Sequence, residues 1–239
     1  MKRKQKKKSF IKKFFVFIFA CIVFISAFVV GIGWVKYEAV TKELSLEDVI
    51  EQIKSKENYT NIDNISLTFI NAMVAVEDRR FYKHNGVDVI GIARAFAKNV
   101  KDKTLSEGGS CITQQLAKNM YFINDNTFSR KIAEIFVSIE LEKRLSKKEI
   151  LELYFNVIYY GSGYYNIYDA SMGYFNKIPA KISDYEATLL AGIPNAPSVY
   201  SLKNNPDLAK QRQKTVVNAM VDMKYLTKAE ANSILSRNK

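Results

Sequence analysis

Glu77-Asp78-Arg79-Arg80-Phe81-Tyr82-Lys83-His84-Asn85-Gly86 follows directly on the apolar run Phe69-Ile70-Asn71-Ala72-Met73-Val74-Ala75-Val76. Phe69, Ile70, Met73, Val74 and Glu77 recur at three- and four-residue spacing, which predicts a helix with one face against a core. Glu77 closes that face. A carboxylate held there is desolvated, its pKa rises, and it becomes a candidate general base. The same residues also fit a solvated helix end with local ion pairs, because charged helix ends are common. The rest of the chain has to separate the two readings.

Downstream, Asn85-Gly86 is a turn signal. Asp88 is placed to cap a helix with Val89, Ile92, Ala93, Phe96 and Val100 on one side and Arg94, Lys98, Lys101 and Lys103 as the polar counterpart. That pattern fits a surface helix on the core or an interfacial helix on anionic lipid. Gly108-Gly109-Ser110 then opens a helical run, Cys111 to Asn119, whose free N-terminal N–H groups would suit a phosphate. Gln114 and Lys118 share a face there, as do Gln115 and Asn119. From Thr127 a further helix carries Ile132, Phe136 and Ile139 on one side and Arg130, Lys131 and Glu134 on another. An Arg130–Glu134 pair in that order contributes at most about 0.5 kcal/mol to a helix, so helix stability does not explain the cluster. Ser146-Lys147-Lys148-Glu149 and Ser183-Asp184-Tyr185-Glu186 are capping boxes. Pro194 and Pro197 enforce a loop, and Pro206 opens a helix to about Met223. With no run of alternating strands, the body reads as all-α.

Upstream, Phe14 to Val35 is an uncharged stretch of 22 residues. As a helix it is about 33 Å long, enough for the roughly 30 Å hydrocarbon core. Trp34 and Tyr37 stand where interfacial aromatics would, and no small-x-small cleavage site follows. A retained anchor is expected rather than a removed signal peptide. Residues 1–13 form a basic tail, 14–35 the anchor, 36–64 a polar stalk with a short helix from Ser45, and 65–239 the folded domain. The basic tail before the span predicts a cytoplasmic N-terminus and a domain on the far side of the membrane.

The 239-residue chain has a net charge of +12, which could suggest nucleic acid. Eight of its 36 bases lie in residues 1–13; the remaining 28 face 24 acids, so the basicity belongs to the tail and no nucleic-acid partner is expected. Two cysteines, one in the span, give no disulfide framework, and with one histidine no zinc cage is expected. What remains is a candidate base, a second acid flanked by cations, and a phosphate-suited entrance near Ser110, all beside a membrane. That set suggests group transfer with a phosphate leaving group.

Five segments together resemble the family 51 peptidoglycan glycosyltransferases: Glu77 to Gly86, Gly108 to Asn119, Arg130 to Glu134, Lys148 to Gly161, and Ala191 to Ser198. The order and spacing carry the likeness, which covers roughly Ser66 to Met223. The resemblance implies a lysozyme-like all-α glycosyltransferase domain behind a single transmembrane helix, on the outer face of a bacterial plasma membrane. It implies polymerisation of lipid II onto a lipid-linked glycan chain, with inversion and release of polyprenyl diphosphate. Glu77 would take the proton from the acceptor hydroxyl. Glu134 would help place the diphosphate, through a divalent cation such as Mg²⁺. Lys118, Arg130 and Lys131 would offset leaving-group charge, and Ser110, Gln114, Gln115 and Asn119 would bind sugar and phosphate. A small lobe around residues 89–103 would touch the membrane. His84 is then a structural part of its motif. No transpeptidase signature follows, so a monofunctional enzyme is expected, with other cell-wall synthesis proteins as partners. Cys111 stands where threonine is usual, Asn126 where some members carry arginine, and Asn166-Ile167-Tyr168-Asp169 departs from the common Gly-Ile-Glu-Ala. A wall hydrolase or lyase of related fold would share the glutamate but not need the cations. A non-catalytic scaffold would need neither.

Overall fold

The computed structural model describes residues 2–102 and 108–236; Lys103 and the side chains of the tail before Lys12 lie outside the described residues. Eleven α-helices account for the described fold, without a strand among the described residues. They are α1 (Lys2–Glu43), α2 (Leu46–Lys54), α3 (Leu67–Glu77), α4 (Val89–Asp102), α5 (Ile112–Tyr121), α6 (Phe128–Arg144), α7 (Lys147–Val157), α8 (Ile167–Phe175), α9 (Asp184–Gly192), α10 (Pro206–Asp222) and α11 (Lys228–Ser236).

Local chemistry sets the helix starts. Ser146 and Ser183 accept the N–H of Glu149 and Glu186 while those glutamates reach back to the serine N–H groups, the two capping boxes read from sequence. Thr127 caps α6 and Asn166 caps α8 through their side-chain oxygens. Asp88 accepts the Gly91 N–H at the start of α4. Ser66 makes no side-chain cap; its N–H bonds Pro179 O at 3.1 Å and so ties the entrance of α3 to the body.

Two helices form the centre. Phe69, Ala72, Met73 and Ala75 of α3 are fully buried, and α3 packs between α9 and α10. α7 is buried from Ile150 to Val157, with Leu153, Tyr154 and Phe155 fully enclosed. A helix apolar all round must be surrounded by protein, and α7 has α5, α6, α8 and α2 about it. Its polar residues tie in the segment before α3. Glu152 accepts the Ile62 N–H at 2.8 Å and the Tyr59 hydroxyl at 2.5 Å. Asn156 accepts the Thr60 N–H and donates to the Thr60 carbonyl, each at 2.8 Å. Within the polar stretch 36–64, Leu46, Val49, Ile53 and Ile62 are buried in this same core.

Helix α1 is long and apolar enough to cross a membrane, and its large apolar side chains from Phe14 to Ile32 are mostly exposed. It continues into the domain without a break and docks on α6. A Cβ on Gly33 would stand 2.3 Å from Ile132 Cγ2, so only glycine lets the helices approach this closely. Phe136 packs between Trp34 and Tyr37, with ring centroids 5.1 and 5.8 Å away.

Candidate active site

α3 ends at Glu77 on the wall of a cleft of about 900 Å³. Ser110, the α5 residues Gln114, Gln115, Lys118 and Asn119, and the α6 residues Arg130, Lys131 and Glu134 line the same cleft. All nine residues singled out in the sequence therefore meet in one space. Arg94, Ala95 and Lys98 of α4 close one side, and Tyr159, Pro194, Asn195 and Pro197 another.

Glu77 is enclosed, with its side chain 8% exposed. Gln115 Nε2 donates to its Oε2 at 2.9 Å, and Arg212 stands 3.9 Å from Oε1, which has no hydrogen bond among the described residues. Burial pushes the Glu77 carboxyl above its ordinary value; the Gln115 hydrogen bond and the Arg212 charge pull it part of the way back, and Asp78 adds a push upward. Gln115 is itself oriented, because its Oε1 accepts the hydroxyl of fully buried Tyr154 at 2.9 Å. A chain Tyr154–Gln115–Glu77 thus fixes one carboxylate oxygen and leaves the other free to take a proton.

Glu134 is the second carboxylate, 1% exposed. Lys131 Nζ reaches its Oε2 at 2.8 Å and also donates to Ser110 Oγ at 2.7 Å. Arg130 Nε stands 3.2 Å from Oε1, an ion-pair distance without hydrogen-bond alignment, so both atoms keep an unused bonding direction. Lys118 lines the cleft, and its side chain makes no hydrogen bond or ion pair with the described residues.

The backbone at the entrance of α5 departs from the sequence expectation. Its first N–H groups are not open to an anion. Ile112 N–H is taken by Asp78 Oδ2 at 3.1 Å, and Cys111 N–H by Gln114 Oε1 at 3.2 Å. These two N–H groups are therefore not donors for an anion in this cleft, which its cationic side chains face instead. Asp78 also takes His84 Nε2 at 2.9 Å, so the acid after Glu77 and the single histidine form a buried brace between the end of α3 and α5. Cys111 donates to Gly86 O at 3.1 Å, and desolvation pushes its thiol up to about 12, which keeps it protonated. Asp78, His84 and Cys111 put one ligand atom each within 4.8 Å of one another. The first is already bonded twice and the last is a neutral thiol, so the group is a hydrogen-bonded brace.

Arg212 was missed in the sequence. It lies on the buried stripe of α10 with Ala209 and Val216, at three- and four-residue spacing. A long cation on an apolar stripe was the available signal. Gly192 makes room for it: a Cβ there would stand 3.0 Å from Arg212 Cγ. Counting only described residues, Arg79, Arg94, Lys98, Lys118, Arg130, Lys131 and Arg212 line the cleft against the carboxylates of Glu77 and Glu134. The site sets seven cations beside a buried carboxylate.

Residues 46–221 match the family model described as transglycosylase. The monofunctional glycosyltransferase of Staphylococcus haemolyticus is 36% identical, over 99% of this chain and 86% of that protein. Penicillin-binding protein 1A of Neisseria gonorrhoeae is 43% identical over 77% of this chain. This chain spans about a quarter of the length of such penicillin-binding proteins, 23% of that one.

Proposed function

The chain belongs to the transglycosylase family, and on that premise we propose that it polymerises lipid II into peptidoglycan glycan strands at the outer face of a bacterial plasma membrane. The observation that carries the reading is seven cationic side chains around a cleft that holds a buried, hydrogen-bonded glutamate. A hydrolase of finished wall has a sugar leaving group and gains nothing from that charge. A diphosphate leaving group does.

Glu77 acts as the general base. Its Oε1 has no hydrogen bond among the described residues, so it is available to the acceptor sugar hydroxyl, while Gln115 holds Oε2. Burial raises the carboxyl and makes it a stronger base, while Gln115 and Arg212 pull the other way, toward the ionised form. As the hydroxyl attacks the anomeric carbon of the lipid-linked glycan, the proton passes to Glu77 and the C–O bond to the diphosphate breaks with inversion. Lys118, Arg130 and Lys131 meet the charge that builds on the departing diphosphate. Ser110 fixes Lys131 from the other side.

A divalent cation would find a donor at Glu134. Glu134 Oε1 is a buried carboxylate oxygen with no hydrogen bond among the described residues, and Mg²⁺ takes one or two carboxylates together with phosphate oxygens and water. Such an ion would neutralise diphosphate charge. The exposed apolar face of α4, with Val89, Ile90, Phe96 and Val100, rests on lipid beside the cleft and admits the lipid-linked substrate from the membrane. The N-terminal tail stays on the cytoplasmic side.

The test is conversion of purified lipid II to polymer by the full chain in detergent or liposomes. Release of soluble fragments from finished peptidoglycan, with lipid II unconsumed, would replace this reading with a hydrolytic one.

A further inference from the structure

We infer that Phe128, at the start of α6, and Ile123, in the turn before it, form a second lipid-inserting edge that sets the depth of the cationic cleft at the bilayer surface. The partner is the phospholipid interface. The inference rests on α1 being the membrane anchor; it does not depend on which reaction the cleft performs.

The depth follows from how α1 and α6 lie together. Gly33 meets Ile132, Trp34 and Tyr37 hold Phe136, and Tyr37 and Thr41 stand beside Val137, Glu140 and Arg144. Numbers rise together along both helices, so the helices run in the same direction. Moving back along α6 from Ile132 is therefore moving into the membrane. Phe128 lies one turn before Ile132, about 6 Å along the axis. It lies beside the end of the span, on the membrane side of the Gly33–Ile132 contact.

Lys36, the first charge after the span, fixes the other end of the edge. Its ammonium pairs with Asp125 and donates to Thr127 Oγ1 at 2.8 Å. A lysine at the end of a span extends its ammonium to the bilayer surface. Asp125 and Thr127 are thereby held at headgroup level, with Ile123 and Phe128 flanking them.

Both apolar side chains are turned out. Phe128 is 72% exposed and Ile123 59%, although other large aromatics of this region, such as Phe122, are buried. Two large apolar groups flanking a polar, charge-paired turn next to a transmembrane helix match an amphipathic interface. The edge is continuous with the anchor, which names its occupant. Arg130 and Lys131 follow Phe128 by two and three residues, so the same geometry brings them to the level of lipid phosphates.

Depth-dependent fluorescence quenching tests this. The full chain is reconstituted into vesicles of phosphatidylethanolamine and phosphatidylglycerol containing lipids spin-labelled near the headgroup or deep in the acyl chain. Trp34 is the single native tryptophan, and its quenching in the parent chain reports the anchor. In a Trp34→Phe background, Phe128→Trp and, separately, Ile123→Trp report the edge. Leu67→Trp, at the far end of α3 from the cleft and 69% exposed, is the control. Positions 128 and 123 should lose emission to the shallow label as strongly as Trp34 does, while position 67 keeps its emission. Emission at 128 and 123 as unaffected as at 67, with Trp34 still quenched, overturns the inference. An unquenched Trp34 removes the anchor and the inference together. In either of those cases lipid II turnover by the same protein remains a separate measurement of the reaction.

Discussion

Replacing Gln115 with methionine keeps the side-chain volume and removes the amide that holds Glu77. Two consequences can be worked from the structure. The hydrogen bond from Gln115 Nε2 to Glu77 Oε2, at 2.9 Å and out of solvent, favours the ionised carboxylate. Hydrogen bonds to charged groups contribute about 1.5–3 kcal/mol. Their loss lowers the ionised fraction of Glu77 about tenfold to a hundredfold on the acid side of the rate profile. Because the carboxyl then holds its proton to higher pH, the acid limb of kcat/KM moves to higher pH, and activity is recovered in part as the pH rises. The second consequence is structural. Tyr154 loses its acceptor, and a buried hydroxyl without a partner costs about 1–3 kcal/mol. Adding Tyr154→Phe removes that orphan. The double variant should regain stability by thermal unfolding and yet keep the displaced acid limb. The assay is polymerisation of lipid II across the pH range, read beside thermal unfolding of the same preparations. A Gln115→Met profile superimposable on the parent would refute the role of Gln115 in setting Glu77.

Other expectations follow from the same contacts. The folded-state pKa of Glu77 is raised, so its ionisation costs the folded state nothing below its ordinary pKa and a growing amount as the pH rises. Glu77→Gln should match the parent in thermal stability near about pH 4 and exceed it near about pH 8; a gain confined to acid pH would contradict the burial. Gly192→Val would push a Cβ into Arg212, so the acid limb should rise as in Gln115→Met while the fold, followed by circular dichroism, is kept. Asn156→Ala leaves the Thr60 N–H and carbonyl without their side-chain partner and should lower stability by about 1–3 kcal/mol, measured by denaturant unfolding. Gly33→Leu cannot keep the α1–α6 approach, so lipid II turnover in vesicles should fall below that of the parent chain.

The parts of the site legible in the sequence were those in which local spacing is the message. Glu77 closes an apolar stripe, and Arg130, Lys131 and Glu134 share one turn of α6, so their cluster survives into the fold. Capping boxes at Ser146 and Ser183 were equally local. Contacts between distant segments were not legible. Arg212 reaches Glu77 across the packing of α3, α9 and α10, and its place on the apolar stripe of α10 does not say which distant residue it meets. Gln115 looked like a ligand-binding amide; its nitrogen and oxygen are both used inside the protein. The glycine-rich entrance to α5 looked open to phosphate, but Asp78 arrives from another segment and takes the donor. The polar stretch before α3 hid Leu46, Val49 and Ile53, whose spacing marks a buried face once α7 is there to cover it.

The most direct test of the proposal is lipid II consumption by Glu77→Gln, with the parent chain in the same vesicles. The amide keeps the shape and the contact with Gln115 but cannot accept the acceptor hydroxyl's proton. Polymer formation should be abolished at every pH, while circular dichroism and thermal unfolding show an intact fold. Polymerisation at the parent rate by that variant would contradict Glu77 as the base.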